Sequence, residues 1–383
     1  MISHRDKVAV VGVGYSRVAR SSGLSVTGLA IEACINSLRD AGLKAEEIDG
    51  LGGASPPNAM DVAEGVGIPR MTWYCNFSYG PAAITGLVEG VAAVASGMCD
   101  TALVYRSIIR PRPRSLPPAA QAAMASSTMM WPEAAFRAPY GANNILSWAS
   151  LWMRRFMHET GVTAEQLGNI SVTLRKHASM NQRAVMRDLI TIEDYLNARY
   201  IAEPLRLLDC DFPVDGAGAV VLVPAERARD FPHPPVLVSA ASFGVGPRPN
   251  WEQWDDMRNQ ASKYAAERLW AMSGLSPGDV DVAGLYDGFT YLTALWIADL
   301  GFCTLEALGD FIGGDSIGLG GRLPLNTSGG QLSEGRIHGI GLIHEVILQL
   351  RGQCGQRQVP GAEVGVASNG GGPLAGAAVF RRG

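Results

Sequence analysis

Apolar and polar positions near the N-terminus form two patterns that predict a strand followed by a helix. Residues 7–14 read Lys-Val-Ala-Val-Val-Gly-Val-Gly, a short apolar run that indicates a buried strand ending in a glycine turn. From Val26 to Ala41 apolar residues recur with helical spacing, and Gly42 follows as the expected helix stop. The two glycines of the first run suggest a dinucleotide-binding turn, but the third glycine of that motif is missing, so such a site is not expected.

This strand and helix pattern occurs twice in the chain. Segments 42–49 and 274–281 both begin with Gly-Leu and end with Asp, at a constant offset of 232 (274 − 42). Each segment follows a predicted helix and precedes an apolar strand, and residues 235–244 repeat the apolar run near the N-terminus. The duplication predicts two pseudo-symmetric βαβαβ-type halves, residues 1–234 and 235–383, which pack around a shared centre.

An insertion in the first half, residues 111–204, belongs to neither repeat. It begins with a stretch rich in Pro, Ala, Met and Ser and continues with an aromatic helical pattern over residues 147–158. Such a segment forms either a lid over a site or an arm that contacts another subunit, and the two interpretations stand equal. His158 and His177 fall on its helices and are interpreted as ordinary polar positions rather than ligands.

Three carboxylates precede an apolar run that predicts a strand buried on both faces. Asp209, Asp211 and Asp215 come directly before this run, which ends at Val223. Their spacing resembles a calcium loop, but it lacks the later Glu of such a loop. We therefore expect these side chains to cap the turn that enters the strand.

Composition narrows the class of protein. With 47% hydrophobic and 18% charged residues among 383, the chain is expected to form a packed globular α/β protein. A net charge of −4 and the lack of a basic block give little support to nucleic-acid binding. Six cysteines without a Cys-x-x-Cys pair argue against zinc and fit reduced thiols in the cytoplasm. Neither a signal peptide nor an apolar span of about 18 residues is found, so no membrane helix is expected.

A glycine-rich loop near the C-terminus is the strongest candidate for a site. Residues 326–339 combine glycines with clustered polar side chains, and they run straight into an apolar helical pattern over 340–352. The backbone of such a loop can approach a ligand closely, and a helix start adds N–H donors. The loop therefore predicts one wall of a binding site.

Several of these features together resemble the thiolase superfamily, over essentially the whole chain: the duplicated halves, the Asp-Gly-Ala-Gly-Ala strand that starts at Asp215, and the loop Asn326-x-x-Gly-Gly330. More narrowly, the chain is similar to the thiolase-like lipid-transfer-protein branch, which includes steroid side-chain aldolases. The segments that carry this narrower resemblance are 201–210, 285–289, 299–303, 321–326 and 349–352. The resemblance implies a five-layered α-β-α-β-α fold, a homodimer, and a small acyl-CoA-associated OB-fold protein as a partner.

Departures from true thiolases change the expected chemistry. Phe77 stands where the resemblance places the nucleophilic cysteine, and Cys75 lies two residues before it. Ser368 stands at the place of the second cysteine, and Glu-Gly-Arg-Ile-His-Gly at 334–339 replaces the Gly-His-Pro of thiolases. Without an activated thiolate, acyl transfer through a covalent thioester is not expected.

The resemblance implies a retro-aldol lyase instead. Thiolase-like pockets stabilise the enolate of an acyl-CoA thioester, and cleavage of a Cα–Cβ bond beside a β-hydroxyl needs only that stabilisation with a proton acceptor and a proton donor. The implied substrate is a β-hydroxyacyl-CoA with a bulky, steroid-like acyl group. Its products are a ketone or aldehyde and a short acyl-CoA. CoA is part of this substrate, and neither a separate cofactor nor a metal is expected.

The positions that match the family give the candidate site residues. Tyr286, at the end of the predicted strand 280–285, is the candidate for proton transfer, with a tyrosine packed in the core as the alternative. His338 is the candidate for contact with the thioester oxygen or with a proton in transfer. The candidate substrate-binding residues are Phe77, Tyr79, Asn326, Gly330, Ser368 and Gly371.

Arg336 complicates this assignment. Aldolases of the branch commonly have Tyr two residues before the His-Gly pair, and an arginine cannot act as a base because its pKa exceeds about 12. Arg336 can bind a carboxylate or a phosphate or polarise the thioester, so it remains among the catalytic candidates. Two other functions stay open: a non-catalytic acyl-CoA or lipid carrier or scaffold subunit, and a degraded condensing enzyme that uses Cys75.

Overall fold

A nine-stranded mixed sheet lies at the centre of the computed structural model, which describes residues 4–77, 81–110, 138–142, 144–246, 256 and 258–383. The strands are β1 (Val8–Tyr15), β2 (Gly50–Ala54), β3 (Trp73–Phe77), β4 (Ala102–Ile108), β5 (Tyr200–Ala202), β6 (Leu205–Arg206), β7 (Gly216–Pro224), β8 (Val236–Val245), β9 (Val282–Gly284), β10 (Val364–Gly371) and β11 (Leu374–Arg382). The helices are α1 (Val26–Ala41), α2 (Ala59–Val66), α3 (Ala82–Ala95), α4 (Ile145–Thr160), α5 (Ala164–Ser179), α6 (Ile192–Asn197), α7 (Ala261–Ser273), α8 (Thr290–Asp299), α9 (Leu308–Gly313), α10 (Gly330–Ser333) and α11 (Ile340–Arg351).

The order of strands separates the two halves of the chain. Across the sheet the order is β3-β2-β4-β7-β1-β8-β11-β10-β9, while β5 and β6 pair separately. β2 runs parallel to β3 and β4, and β9 runs parallel to β10, whereas the other neighbours are antiparallel. The two sides of the sheet meet at β1 and β8, where Ala9 pairs with Leu237 and Val10 with Val236.

The sequence duplication is visible in the local structure. Short 3₁₀ turns at Ala45–Glu47 and Pro277–Asp279 lie at the offset of 232 (277 − 45) that the sequence predicts. Before these turns, Gly42 and Gly274 end helices α1 and α7 with left-handed φ values of 69° and 66°. A left-handed helix end costs least at glycine, which is why the repeat keeps a glycine at this place.

Asp49 and Asp281 make equivalent hydrogen bonds in the two halves. The carboxylate of Asp49 accepts the backbone N–H groups of residues 100–101 at 3.0 and 2.8 Å. The carboxylate of Asp281 accepts those of residues 363–364 at 2.8 and 2.9 Å. Each aspartate therefore ties the entrance of one parallel strand to its neighbour, although the division of the chain at residue 234 stays a prediction.

The helices lie in layers on either side of the sheet halves. Helices α3 and α11 each contact strands of both halves, so they form a shared central layer. Helix α1 contacts β1, β4 and β7 of the first half, and α7 contacts β8, β10 and β11 of the second half. The α-β-α-β-α order predicted for the fold is confirmed by these contacts.

Glycines allow β1 and β8 to approach their outer helices closely. A Cβ on Gly14 would lie 2.3 Å from the backbone nitrogen of Ser37 in α1. A Cβ on Gly244 would lie 2.2 Å from the carbonyl oxygen of Ala261 in α7. The glycines of the first strand therefore serve helix packing, which agrees with the missing dinucleotide motif.

The insertion contributes helices α4 and α5, but its first part, residues 111–137, with the predicted lid or arm, lies outside the described residues. His158 is exposed in the last turn of α4. His177 is buried, its Nδ1–H donates to the carbonyl oxygen of Leu325 at 3.0 Å, and burial lowers its pKa to about 4. A neutral His177 therefore supports the chain just before the glycine-rich loop.

Replacing Gly14 tests the close packing of β1 on α1. We expect Gly14→Ala to lower the free energy of unfolding by about 1 to 3 kcal/mol, because the new methyl group would overlap backbone atoms of the helix. The matched control is Gly320→Ala, since a Cβ there would meet no atom within 4 Å. Urea unfolding of both variants measures the difference. Equal stability of the two variants would contradict the close approach.

Candidate active site

A cavity of about 520 Å³ lies at the glycine-rich loop. The segment between β9 and α8, the loop before α11, the turn between β10 and β11, and residues 210–213 meet there. Most of its walls are apolar, and the polar side chains on them are Asp211, Tyr286, Arg336, His338 and Asn369. An apolar chamber with a few convergent polar groups is typical of a small-molecule site.

Tyr286 is held at the cavity by two buried side chains behind it. The side-chain oxygen of Asn326 accepts the N–H of Leu285 at 2.7 Å, and its amide nitrogen donates to the Leu285 carbonyl at 2.8 Å. The hydroxyl of Ser368 accepts the backbone N–H of Tyr286 at 3.0 Å. Asn326 and Ser368 thus position the tyrosine from behind, and neither contributes to the cavity wall.

The backbone at Gly330 lies against a carboxylate of the protein itself. Gly330 has a φ of 59°, and a Cβ on it would lie 2.0 Å from Oδ2 of Asp287. The same oxygen accepts the N–H of Leu332 at 3.2 Å, while Oδ1 has no hydrogen-bond partner among the described residues. Burial raises the pKa of Asp287 to about 7, although backbone N–H groups oppose this shift. The close approach expected for Gly330 is therefore made to Asp287.

His338 reaches the cavity from a left-handed backbone position. Its φ is 54°, its carbonyl accepts the side-chain N–H of Asn369 at 3.1 Å, and helix α11 begins two residues later. Burial, followed by the charges of Arg106 and Arg336, lowers the pKa of His338 to about 3. The imidazole is therefore neutral at physiological pH, and its Nδ1 has no hydrogen-bond partner in the described part of the chain.

Arg336 pairs across the cavity wall with Asp211, a residue that the sequence did not place in the site. Nε of Arg336 lies 3.7 Å from Oδ1 of Asp211. The two backbones are joined through Phe212, whose carbonyl accepts the N–H of Arg336 at 2.8 Å. Burial raises the pKa of Asp211 to about 7, the charge of Arg336 opposes that rise, and Asp287 adds to it.

The prediction that three aspartates cap a turn holds for Asp209 and is wrong for Asp211 and Asp215. Asp209 accepts the N–H of Arg206 at 2.8 Å and ends a short 3₁₀ turn. Asp215 accepts the N–H groups of Ser22 at 2.9 Å and Arg110 at 2.8 Å, so it joins distant segments at the entrance to β7. Asp211 faces the cavity instead, because its segment is paired with the loop that carries Arg336 rather than folded back on itself.

Arg106 is a second functional candidate that the sequence reasoning missed. It lies on β4 between Tyr105 and Ser107, and its charge acts on Tyr286, Arg336 and His338. Burial lowers its pKa, and its Nε has no hydrogen-bond partner among the residues described. A single charged residue near the end of the apolar run that starts at Ala102 was the signal that could have identified it.

Three residues that line this cavity carry a buried polar atom without a hydrogen-bond partner among the described residues: Nε of Arg336, Nδ1 of His338 and Oδ1 of Asn369. Most buried polar groups in folded proteins are hydrogen-bonded, so such atoms are costly unless a ligand or water completes them. The arrangement can hold the polar part of a molecule whose larger part is apolar.

The structure brings only some of the predicted site residues together. Tyr286, Arg336, His338 and Gly371 line the cavity. Phe77 does not line it; its ring packs on α3, 3.2 Å from the Cβ position of Gly86. Tyr79 lies outside the described residues.

No cysteine at the cavity is activated as a nucleophile. Cys75 is half-buried on β3, and burial followed by the charge of Glu89 raises the pKa of its thiol. Cys210 lines the cavity, but burial and Asp209 strongly raise the pKa of its thiol, which donates to the Arg206 carbonyl at 3.5 Å. A thiolate is the reacting form of cysteine, so neither residue is suited to attack a thioester.

Neither a metal-binding cluster nor a membrane-spanning helix is found among the described residues. Among them, no three His, Cys, Asp or Glu side chains form a group that could hold a metal ion. None of their helices combines the length and the apolar character needed to cross a bilayer.

Comparison with known proteins identifies the family. The chain is 38% identical over 362 residues to the 17-hydroxy-3-oxo-4-pregnene-20-carboxyl-CoA lyase of Mycobacterium tuberculosis, and the aligned region covers 90% of this chain and 92% of that protein. The chain belongs to the thiolase superfamily. Its residues 247–380 match the family described as thiolase C-terminal domain-like. It is also 36% identical over 369 residues to the steroid side-chain-cleaving aldolase of Thermomonospora curvata, with 90% of each chain covered.

A solved structure supports the same place in the superfamily. The Ltp2-ChsH2(DUF35) aldolase matches with a TM-score of 0.90 and 34% identity, over 100% of this chain and 99% of that chain. The predicted superfamily, its thiolase-like lipid-transfer-protein branch and the fold are therefore confirmed.

Alkylation of Cys75 tests whether this thiolase-superfamily chain keeps a reactive thiol. We expect iodoacetamide at pH 7.5 to label Cys75 more slowly than free cysteine, because burial and Glu89 disfavour its thiolate. Peptide mass spectrometry over time measures the rate, and Cys75→Ser shows which label belongs to this position. Labelling faster than free cysteine would restore Cys75 as a candidate nucleophile.

Proposed function

We propose that this chain is a lyase that cleaves the Cα–Cβ bond of a β-hydroxyacyl-CoA by a retro-aldol reaction, without a cysteine nucleophile. The acyl group is bulky and steroid-like, and the products are a ketone or aldehyde and a short acyl-CoA. The CoA belongs to the substrate, and the reaction needs no separate cofactor. Two similar proteins named for steroid side-chain cleavage support this proposal.

The observation that carries the proposal is the pairing of an apolar cavity with polar groups but no activated thiol. A cavity of about 520 Å³ has room for a large apolar acyl group, and Tyr286, Asp211, Arg336 and His338 are among the polar residues that line it. Acyl transfer in thiolases needs a thiolate, whereas retro-aldol cleavage needs only proton transfer and a stabilised enolate. The side chains that line this cavity fit the second reaction.

Tyr286 acts as the donor that protonates the α-carbon. Burial, followed by the charge of Asp211, raises the pKa of its hydroxyl, so the phenol is neutral and carries a proton to give. Asn326 and Ser368 fix its backbone, so the hydroxyl is presented at a constant position. The alternative, in which Tyr286 serves only to pack in the core, does not explain why this residue lines the cavity.

His338 stabilises the enolate that forms on the thioester oxygen. Helix α11 has 12 residues and begins directly after Gly339, so the dipole of the helix favours negative charge near this end. The neutral imidazole of His338 lines the cavity and supplies an N–H donor without adding a mobile proton. The positive charge of Arg106 also acts on this imidazole.

A homodimer and a small acyl-CoA-associated OB-fold partner complete the proposed assembly. Strand β3 is at the end of the sheet and carries Tyr74, which is 61% exposed. An open strand edge of this kind favours pairing with a second chain. The match to the Ltp2-ChsH2(DUF35) aldolase supports a second, smaller protein. Sedimentation of the purified chain tests the dimer, and co-expression with a neighbouring partner gene tests the complex.

Six free cysteines in the described residues support a reducing compartment, and we propose the cytoplasm. Localisation of a tagged chain by fractionation tests this assignment, and recovery with secreted proteins would contradict it.

The lyase activity is tested with the CoA ester named for the Mycobacterium tuberculosis relative, 17-hydroxy-3-oxo-4-pregnene-20-carboxyl-CoA. We expect the chain, with its partner protein where one is encoded beside it, to release a 17-ketosteroid and a three-carbon acyl-CoA. Liquid chromatography with mass spectrometry follows both products. A panel with smaller acyl groups bounds the size that the cavity accepts. Measured binding without release of either product across the panel would favour a non-catalytic acyl-CoA or lipid carrier or scaffold subunit.

Removing the hydroxyl of Tyr286 tests its role as proton donor. We expect Tyr286→Phe to lower kcat by roughly 10²- to 10⁴-fold while binding of the short acyl-CoA product changes little, because only proton transfer is lost. Tyr140→Phe is the matched control, since Tyr140 is 85% exposed. Full activity of Tyr286→Phe would remove this residue from the mechanism even if the reaction stands.

A further inference from the structure

We propose that Asp211 is the catalytic base of this site, accepting the β-hydroxyl proton of the substrate, and that Arg336 is its positioning partner. This inference rests on the lyase proposal and names a group that the reaction requires. Neither the sequence motifs nor the pattern of glycines pointed to it. The argument starts from where Asp211 is held.

Asp211 is fixed to both segments that carry the other catalytic groups. Its N–H donates to the carbonyl of Gly288 at 3.1 Å, two residues after Tyr286. The N–H of the next residue, Phe212, donates to the carbonyl of Gln331 at 2.9 Å, in the glycine-rich loop. The carboxylate on this segment lines the cavity, so it faces a bound ligand from a rigid backbone.

The carboxylate of Asp211 is also free to accept a proton. Its closest charged group is Nε of Arg336 at 3.7 Å, a separation longer than a hydrogen bond. Oδ2 of Asp287, the nearby alternative, already accepts the N–H of Leu332, and Asp287 does not line the cavity. Asp211 is therefore the carboxylate that a substrate can reach.

Other cavity groups are poor acceptors for this proton. The guanidinium group of Arg336 has no lone pair to offer, because an arginine side chain is not a base at ordinary pH. Burial and two nearby arginines disfavour a protonated His338. Tyr286 is neutral, so its phenol would first have to lose its own proton. A carboxylate is the one remaining basic group on the described wall of the cavity.

The electrostatic surroundings hold Asp211 near the pH at which a base works best. Burial raises its pKa to about 7, Arg336 lowers this pKa, and Asp287 raises it. The titratable side chains of Cys210 and Tyr286 also interact with Asp211. Asp211 in turn raises the pKa of Tyr286. A general base is most effective when its pKa is close to the operating pH.

The proposed step balances in atoms and charge. Asp211 takes the proton from the β-hydroxyl, the oxygen lone pair becomes the second bond of a ketone or aldehyde, and the Cα–Cβ bond breaks. The electron pair of that bond moves into the enolate of the short acyl-CoA, with negative charge on the thioester oxygen. Tyr286 then gives its proton to Cα, and the proton on Asp211 passes back to the tyrosine oxygen, so both residues return to their starting states.

The pH dependence of cleavage tests this assignment. We expect kcat/KM of the unaltered protein to fall as pH drops through about 7, because a protonated Asp211 cannot accept the hydroxyl proton. Asp211→Asn should lower kcat/KM by roughly 10²- to 10⁴-fold and abolish this acid limb, since an amide is not a base. Asp211→Glu should keep the limb at reduced rate. The control Asp61→Asn, on the exposed face of α2, should match the unaltered protein.

Substitutions of Arg336 and Asp287 test whether Asp211 titrates during the reaction. If Asp211 had only a structural role, these substitutions would not shift the acid limb of the pH profile. Arg336→Met removes the cation that lowers the pKa of Asp211, so the acid limb should shift to higher pH. Asp287→Asn removes a charge that raises this pKa, so the limb should shift to lower pH. These opposite shifts can be measured even if Asp211→Asn folds poorly, which circular dichroism and binding of the short acyl-CoA would reveal.

The outcomes separate the two proposals. Cleavage by the unaltered protein together with an unchanged rate and acid limb in Asp211→Asn would overturn the assignment of Asp211 and leave the lyase function in place. An acid limb that does not move in Arg336→Met or Asp287→Asn would likewise overturn it. Failure of the unaltered protein to cleave any member of the substrate panel would overturn both.

Discussion

Two hydrogen bonds between the side-chain amide of Asn326 and the backbone of Leu285 are the constraint on which the site depends. Asn326 also donates its N–H to the carbonyl of Ala283 at 2.7 Å, so it extends the pairing of β9 while its own φ of 44° turns the chain into the glycine-rich loop. Asparagine tolerates this left-handed backbone, and its amide carries a donor and an acceptor on two separate atoms, which can bond the N–H and the carbonyl of one residue at the same time. Tyr286 and the loop that carries His338 are therefore set in one rigid frame.

Burial then determines which form each ionisable group of this frame takes. It raises the pKa of Tyr286 and lowers that of His338, so both are neutral, and it brings the carboxyls of Asp211 and Asp287 to pKa values of about 7. The same low dielectric that disfavours charge also strengthens the interaction between charges that remain. A site with neutral proton donors and carboxyls near their titration points, of which Asp211 lines the cavity, can move a proton in either direction at modest cost.

The sequence predicted local and repeated features well, but it predicted contacts between residues far apart in the sequence poorly. The strand at 7–14 and the helix at 26–41 are found within one residue, because apolar periodicity is set by neighbours in the chain. The family motif brought Tyr286, Arg336 and His338 to one cavity. Asp211 was missed because its role depends on a residue 125 positions away (336 − 211), and a turn cap explains the same local pattern. The position of Phe77 matched the family motif, but a motif does not show where its ring packs.

The position of Arg336 beside Asp211 explains how an arginine can stand where aldolases of this branch commonly have tyrosine. A tyrosine at position 336 could exchange a proton with the substrate, and an arginine cannot. A fully buried carboxyl without a cation would stay protonated over a wider pH range and would be a poor acceptor. Arg336 offsets part of that burial penalty from 3.7 Å, so the carboxylate of Asp211 is available near neutral pH. In the proposed reaction the cation of Arg336 and the carboxylate of Asp211 therefore act as parts of a single electrostatic arrangement.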